Sequence, residues 1–517
     1  MNSPTQSAAA ALRTRLAEVD EKMAALHSQF EELAEVRRDV VDALASFVYP
    51  VLTLPSEITA EIFKHCVGPV GLGMGAGNAP LVLSSVCKDW RRIALDLASI
   101  WSDIWLASSS APNMPSILKS WLPRTGTHPI DVTGLDTRHE SINELVPYCE
   151  QWRSISCWLE LPITGSLNDI RGRIPQLRSL DISYGGGPVE SFANSIPLTM
   201  FSDAPNLREL SMTDQLPPSS PDMLHLFDLP WEGLTHLSSR VQGLDKVLQL
   251  LTRTPNLQSL SISPSSMHPA IVLPPPITLP RLRMLEICHK GAMVCDAIVA
   301  PSLKSLQITT PSEELGVPRL LARCESSLRS LSISGIDPPN WRFVLSVLRA
   351  APMIEEAGLS MSSPLQQWRK LFSLIRSEKN FLPKLRVLSL TALAAVEIWN
   401  VSTFAEMTEM ILERWSSDLD ATSPSPGENP SGVQATHKLE AFRLVYSHLP
   451  DFSTKMLPNT PVTEWCVETL GILVKDGCKI KIQGLDLTPE LSVEEQPSYT
   501  LDERYKGRIL GGVNRTI

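Results

Sequence analysis

The chain has 517 residues, of which 43% are hydrophobic, and its 46 basic and 56 acidic residues give a formal net charge of −10. This length and hydrophobicity exclude a disordered protein and allow about three domains or one long repeat array. The acidic balance argues against nucleic acid as a partner, because phosphate backbones bind to clustered Lys and Arg.

Targeting signals and cysteines bear on where the protein works. The apolar run 8–12 is too short for a signal peptide, and acidic residues from Glu18 onward argue against a transit peptide. No apolar stretch approaches the roughly eighteen residues that a membrane span requires. Nine cysteines, without a C-x-x-C pair, indicate reduced thiols. We expect a cytoplasmic or nuclear protein that does not contact membranes.

Residues 1–48 carry the pattern of a coiled-coil-like helix. Apolar residues alternate four and three positions apart at Leu12, Leu16, Val19, Met23, Leu26, Phe30 and Leu33. Three heptads are marginal for a free helix in water. Two arrangements remain open: the helix folds back on the rest of the protein, or residues 12–33 mediate self-association.

A small all-helical block is predicted over residues 49–106. Pro55 interrupts the first helix, and Glu57 favours the start of the next one because acids stabilise helix N-termini. A second amphipathic helix follows a glycine-rich insertion at 68–80. The insertion lacks the G-x-G-x-x-G spacing and the G-K-[ST] ending of nucleotide-binding loops, so we expect a surface loop and no cofactor.

The two helices carry a specific motif. The stretches "LPSEITAEIFKHC" (54–66) and "LVLSSVCKDWRRIALDLASIW" (81–101) contain Leu-Pro-x-Glu, an Ile-Phe pair, Val-Cys-Lys-x-Trp-Arg-x-Ile-Ala and a closing tryptophan. This order resembles the F-box, although F-box helices are usually joined by a short link instead of an insertion. With the heptad helix upstream, the chain is similar to the many F-box proteins of mushroom-forming fungi.

The resemblance implies docking on the Skp-type linker of a cullin–RING ubiquitin ligase. Large apolar anchors dominate such interfaces. The candidate interface residues are Leu54, Pro55, Ile58, Ile62, Phe63, Val86, Cys87, Trp90 and Ile93. For Cys87 and Ile93, packing between the F-box helices themselves is an equal alternative.

Residues 151–450 are predicted to form a repeat array, after a linker or helical cap at 107–150. The pattern Leu-x-x-Leu-x-apolar recurs with first leucines at 177, 207, 257, 282, 303, 328 and 385, and with weaker copies at Leu234, Ile354 and Leu439. From 177 to 385 the copies are on average 26 residues apart. This period is typical of leucine-rich repeats, in which each unit adds one short strand to a shared core. Segments such as 245–254 have helical spacing. The less favoured alternative is a plain β/α protein.

Side chains at the intervening positions of the repeats are candidates for reaching a substrate protein, although ordinary solvent exposure is the much stronger explanation for them: Arg208, Glu209, Arg283, Lys304, Arg329 and Arg386. The Ser-, Pro- and Gly-rich segment 416–437 predicts a disordered loop, with weak phosphate-acceptor candidates at Ser423 and Ser425. Residues 451–517 are expected to form a C-terminal cap and a loose tail.

The sequence contains no recognisable catalytic or metal-binding motif. Cys288, His289 and Cys295 are the nearest approach to a metal cluster, but their spacing fits no zinc site. The known hydrolase, metalloprotease, kinase and Walker sequences do not occur. We therefore expect no metal and no enzymatic activity.

Taken together, these patterns predict a mixed α/β chain with an N-terminal heptad helix, a small all-helical F-box and a curved leucine-rich-repeat solenoid. The resemblance implies a substrate-recognition adaptor of a ubiquitin ligase. The alternatives are a scaffold protein whose F-box-like block has no ligase partner, and an enzyme with a pocket that the sequence does not reveal.

Overall fold

A computed structural model shows how the chain folds. The residues that it describes are 4–45, 53–67, 79–106, 113–160, 166–185, 198–214, 226–240, 243–263, 275–288, 293–309, 316–324, 327–362, 365–392, 401–416, 437–446 and 460–482.

Helices and strands are numbered in chain order over these residues. The α-helices are α1 (Pro4–Ala45), α2 (Ser56–Cys66), α3 (Ala79–Val86), α4 (Lys88–Asp96), α5 (Met114–Trp121), α6 (Ser141–Leu145), α7 (Leu244–Arg253), α8 (Val294–Ala297), α9 (Gly316–Cys324), α10 (Trp341–Arg349), α11 (Leu365–Ser377), α12 (Val401–Ser416) and α13 (Pro461–Lys475). The β-strands are β1 (Asp103–Trp105), β2 (Ile130–Asp136), β3 (Trp152–Glu160), β4 (Ser179–Gly185), β5 (Glu209–Asp214), β6 (His236–Arg240), β7 (Ser259–Ile262), β8 (Ile277–Thr278), β9 (Met284–Cys288), β10 (Ile298–Val299), β11 (Ser305–Thr309), β12 (Ser330–Ile336), β13 (Glu356–Met361), β14 (Val387–Ala392), β15 (Ala441–Tyr446) and β16 (Lys479–Ile482).

The chain divides into two compact units, Met1–Val132 and Thr133–Ile517. The boundary falls inside strand β2. The sequence prediction ended the F-box-like block at residue 106, whereas the first unit continues to Val132.

The first unit begins with α1, a helix of 42 residues. Its predicted seam residues are exposed, from Val19 at 46% to Phe30 at 70%. The described residues therefore do not show the fold-back arrangement, because that arrangement would cover the seam.

Helices α2, α3 and α4 form the next part of the first unit, and the predicted closing tryptophan lies in its core. Trp101 is buried, and its indole N–H donates to the Ala94 carbonyl at 2.7 Å. Its ring packs edge-on against Trp121 of α5, with centroids 4.6 Å apart, and Trp121 in turn donates to the Trp101 carbonyl at 2.8 Å. These contacts join α5 to the helical block and explain why the unit extends past residue 106.

In the second unit the strands form one parallel sheet in chain order. From β3 to β16 each strand pairs with the next, except that β8 and β10 form a separate two-stranded sheet. The repeats are in phase, since Leu285 of β9 lies beside both Leu260 of β7 and Leu306 of β11. Backbone hydrogen bonds also link residues just before the strands, as from Lys304 N to Arg283 O at 2.8 Å.

Burial alternates along the strands of this sheet. In β11, Leu306 and Ile308 are buried and Gln307 between them is half-buried. This is the expected result of a strand whose successive side chains point to opposite faces. The helices between strands add buried apolar residues, such as Val344 and Leu348 of α10. One face of the sheet therefore forms the core, and the other keeps partial contact with water.

The structure confirms a mixed α/β chain with an N-terminal helix and a long parallel sheet. The predicted strands and the predicted helix segment near Asp245 are present, and a further helix, α10, begins at Trp341. No helix in the described ranges combines the length and apolarity needed to cross a membrane.

Candidate partner-binding site

Helix α2 begins directly after Pro55 and presents an apolar row to solvent. The Pro55 carbonyl accepts hydrogen bonds from the Thr59 amide at 3.1 Å and from Thr59 Oγ1 at 3.2 Å, which anchors the first turn. Ile58 and Ile62, four residues apart, therefore share one helix face. Leu54, Ile58 and Ile62 are 39%, 51% and 43% exposed.

The end of α3 and the start of α4 are joined by a cysteine cap. Cys87 Sγ accepts a hydrogen bond from the Trp90 amide at 3.4 Å, which satisfies a donor that a helix N-terminus otherwise leaves unpaired. Arg91 Nε donates to the Ser84 carbonyl of α3 at 2.7 Å. The half-buried Cys87 thus has a structural role, in line with the internal-packing alternative.

Phe63 and Trp90 pack together between α2 and α4. Their ring centroids are 5.0 Å apart with the planes at 65°, and Phe63 is fully buried. The sequence placed Phe63 on the partner-binding surface, and the structure places it in the core instead. The physical reason is that an aromatic ring removes a large apolar area from water when it packs between helices. Trp90 and Ile93 are half-buried.

The remaining predicted interface residues are on the surface, and three further apolar residues join them. Leu81, Val82 and Leu95 are 51%, 45% and 41% exposed. In α3 only Pro80 and Leu83 are buried, so an eight-residue helix carries more apolar side chains than its buried face accommodates. That excess is the signal that would have identified Leu81 and Val82. The exposed apolar set comprises Leu54, Ile58, Ile62, Leu81, Val82, Val86 and Leu95.

An ion pair lies beside the apolar row of α2. Glu61 binds Lys64 at 2.8 Å, and its carboxylate is 3.7 Å from His65. The hydrogen bond from Lys64 lowers the pKa of the Glu61 carboxyl. Glu61 therefore stays ionised beside Ile62, paired with Lys64.

On the second unit, two of the predicted substrate-contact residues are engaged in ion pairs. Arg386 binds Glu440 at 2.6 Å and lies 3.8 Å from Glu355, which also binds Arg329 at 3.1 Å. The hydrogen bond to Glu440 raises the pKa of Arg386. Glutamates from neighbouring repeats thus hold these guanidinium groups.

The other basic candidates for substrate contact, Arg208, Arg283 and Lys304, are exposed and form none of the ion pairs found at Arg329 and Arg386 within the described ranges. Arg208 is exposed and donates to the backbone carbonyls of Pro205 and Leu207, at 3.1 and 2.8 Å. Arg283 and Lys304 are exposed and lie at successive repeats of the sheet. Within the described ranges neither makes an ion pair, so their charges are the most accessible of the basic candidates.

The sequence does not predict a metal site at Cys288, His289 and Cys295, and His289 lies outside the described residues. Cys295 is fully buried in α8. Burial, together with the neighbouring Glu286 carboxylate, raises the pKa of the Cys288 thiol to about 11, so it is protonated near neutral pH. Thiolates are the form that binds zinc. Among the side chains that the structure describes, no group of three or more His, Cys, Asp or Glu is placed to hold a metal.

Several predicted segments lie outside the described residues. They are the alternating glycines of the insertion, residues 68–78, the Ser-Pro segment including Ser423 and Ser425, and the C-terminal tail beyond residue 482.

No family model and no curated protein matches the chain. One solved structure, a Bacteroides fragilis protein determined by a structural genomics consortium, is similar at 14% identity over 46% of this chain. The match covers 66% of that protein, just under two thirds of its length, with a TM-score of 0.28. A likeness this low supports no argument about function.

Proposed function

We propose that this chain is a substrate-recognition adaptor of an SCF-type (Skp–cullin–F-box) ubiquitin ligase, active in the cytoplasm, the nucleus or both. The observation that carries the proposal is the F-box-like motif from Leu54 to Trp101 together with the apolar residues that its helices leave in water. Contiguous exposed apolar surface on a folded protein marks an interaction site more often than chance exposure does.

Docking would use side chains that the fold already presents. Ile58 and Ile62 form the exposed row on α2, and Leu54 is exposed just before the helix, while Phe63 and Trp90 pack between α2 and α4. Such apolar anchors supply most of the binding energy of protein interfaces. The proposed partner is the Skp-type linker, and through it a cullin–RING ligase.

The second unit would then select the substrate as a curved leucine-rich-repeat array. Three features support this: the 26-residue period, the in-phase parallel strands and the partly exposed face of the sheet. Parallel sheets with both faces covered have nearly continuous apolar strands, whereas these strands alternate. Arg283 and Lys304 are our first candidates for substrate contact.

In this role the chain performs no chemistry itself. The recruited conjugating enzyme would carry the ubiquitin, and the adaptor would raise the effective concentration of a substrate lysine near it. No metal, cofactor or catalytic residue is needed in this chain.

The test is co-purification of the full chain with a fungal Skp-type linker. The site variant carries Ile58→Glu and Ile62→Glu, which place charge on the exposed row without touching Phe63. The matched control carries Val462→Glu and Ile472→Glu on α13, whose side chains are 43% and 59% exposed. We expect the parent and the control to bind the linker and the site variant to lose binding, with unchanged circular dichroism.

Two results would contradict the proposal. A folded parent that does not bind the linker would leave the scaffold alternative in its place. A site variant that binds as tightly as the parent would show that the α2 row is not the interface.

A further inference from the structure

The long N-terminal helix exposes an apolar seam that extends beyond the predicted three heptads. Its ten large apolar side chains are between 46% and 70% exposed: Leu12, Leu16, Val19, Met23, Leu26, Phe30, Leu33, Val36, Val40 and Val41. From Leu12 to Val40 the seam runs along about 42 Å of helix, at 1.5 Å per residue. An isolated helix with this much apolar surface is a poor arrangement in water, so a partner surface of similar length is expected.

The heptad register identifies which residues would face such a partner. With Leu12 at a d position, the d positions are Leu12, Val19, Leu26, Leu33 and Val40, and the a positions are Leu16, Met23, Phe30 and Arg37. A single polar residue at an a position, here Arg37, fixes register at some loss of stability. Arg37 is the first polar residue at these positions, so every a and d position from Leu12 to Leu33 is apolar.

The acidic residues of α1 avoid the a and d positions of the seam. Most of them occupy positions b, c and f, which face solvent in a two-stranded coil: Glu18, Glu21, Glu31, Glu32, Glu35, Asp39 and Asp42. Beside the seam, Arg15 is at g and Asp20 is at the following e position. In a parallel pair of identical helices, each g residue faces the e residue of the next heptad on its partner. Two copies would thus form the Arg15–Asp20 contact twice, once on each side.

We propose that residues 12–40 of two copies of this chain pair as a parallel, in-register two-stranded coiled coil. A second copy is the occupant that this seam fits, because in-register pairing matches each apolar residue with one of its own size and brings opposite charges together at Arg15 and Asp20. The proposal is independent of the ligase partner. Homodimers with two-fold symmetry are the commonest oligomers of soluble proteins.

The first test measures the mass of the full chain by light scattering in the micromolar range. The seam variant carries Met23→Glu and Leu26→Glu at a and d positions. The matched control carries Ala24→Glu and Ala25→Glu, which add the same charge one position away, on the solvent side of the same helix. We expect twice 57.0 kDa for the parent and the control, and 57.0 kDa for the seam variant. A monomeric parent, or a seam variant that remains dimeric, overturns the proposal.

The second test measures orientation by oxidative cross-linking. In a parallel in-register pair the two copies of a d-position residue face each other, at a distance that a disulfide spans. Leu12→Cys and Leu33→Cys, each tested alone, should form covalent dimers. The parent, which has Cys66 exposed, is the background control. A dimer in which neither variant cross-links above the parent is not a parallel in-register pair and overturns the proposed arrangement.

Discussion

The Trp90 indole packs edge-on against the Phe63 ring, with centroids 5.0 Å apart, and this contact holds α2 against α4. The neighbouring Ile62 points into water at 43% exposure while Phe63 is fully buried. Adjacent residues of one short helix therefore differ in environment: Phe63 packs in the core, and Ile62 is exposed on the side of the proposed partner contact. Substitution of Phe63 or Trp90 tests folding of the helical block, whereas substitution of Ile58 or Ile62 tests binding.

The first prediction compares the effects of a buried and an exposed residue of α2 on the free energy of unfolding. Phe63→Ala should lower the free energy of unfolding of the helical block by about 3–5 kcal/mol, because it removes a buried ring and leaves a cavity. Ile58→Ala, on the exposed side of the same helix, should change it by less than about 0.5 kcal/mol. Urea denaturation followed by circular dichroism measures both. Equal effects of the two substitutions would contradict the assignment of Phe63 to the core.

The second prediction concerns the alternation of burial in the sheet. Leu306→Ala should destabilise the second unit by about 2–5 kcal/mol, because Leu306 is fully buried between Leu285 and Leu331. The side chain of Gln307, the next residue on the same strand, points to the opposite, partly exposed face. Gln307→Ala should therefore lower the free energy of unfolding by less than about 1 kcal/mol. Denaturation of the two variants provides the comparison. A larger loss for Gln307→Ala would mean that the core lies on the other face.

The third prediction concerns the ion pairs between repeats. Arg386→Ala should lower the free energy of unfolding by less than about 1 kcal/mol, since the side chains of Arg386 and Glu440 are 45% and 51% exposed and water screens their attraction. The loss should shrink further in about 1 M salt, where the screening length is about 3 Å. A double-mutant cycle with Glu440→Ala measures the coupling. Coupling of several kcal/mol would indicate that this pair is shielded from water in solution.

The fourth prediction is a dependence of stability on alkaline pH. Burial raises the pKa of the Cys478 thiol to about 11, from an ordinary value of 9.0. The unfolded chain therefore loses this proton first, so the stabilisation is complete below pH 9 and is lost as the pH rises from 9 to about 11. A pKa difference of this size between the folded and unfolded chain corresponds to about 3 kcal/mol at most.

The variant Cys478→Ala isolates this contribution from those of the other buried thiols. Its free energy of unfolding should fall less steeply with pH above 9 than that of the parent, because one titrating group is missing. Denaturant unfolding over this pH range gives the two slopes. Identical slopes would show that Cys478 does not titrate as a buried thiol.

The sequence by itself predicted the long N-terminal helix, the helix after Pro55 and the strands of the repeats. The second helix of the F-box-like block, predicted as one segment, is instead two helices, α3 and α4, separated at Cys87. Pro55 directly precedes α2, and the four-and-three spacing from Leu12 marked a long helix. The leucines at fixed offsets predicted strands with one buried face, because a strand alternates its side chains with period two. These are local properties, set by residues within a few positions of each other.

The tertiary structure alone decided which apolar residues are buried and which charges are paired. Phe63 is buried because Trp90, 27 positions later, packs on it, and Trp101 is buried because α5 supplies Trp121. Arg386 is paired because strand order brings Glu440 beside it from 54 residues away. Burial and pairing depend on neighbours that are distant in sequence, so a local pattern identifies a residue as apolar or charged but does not determine what it contacts.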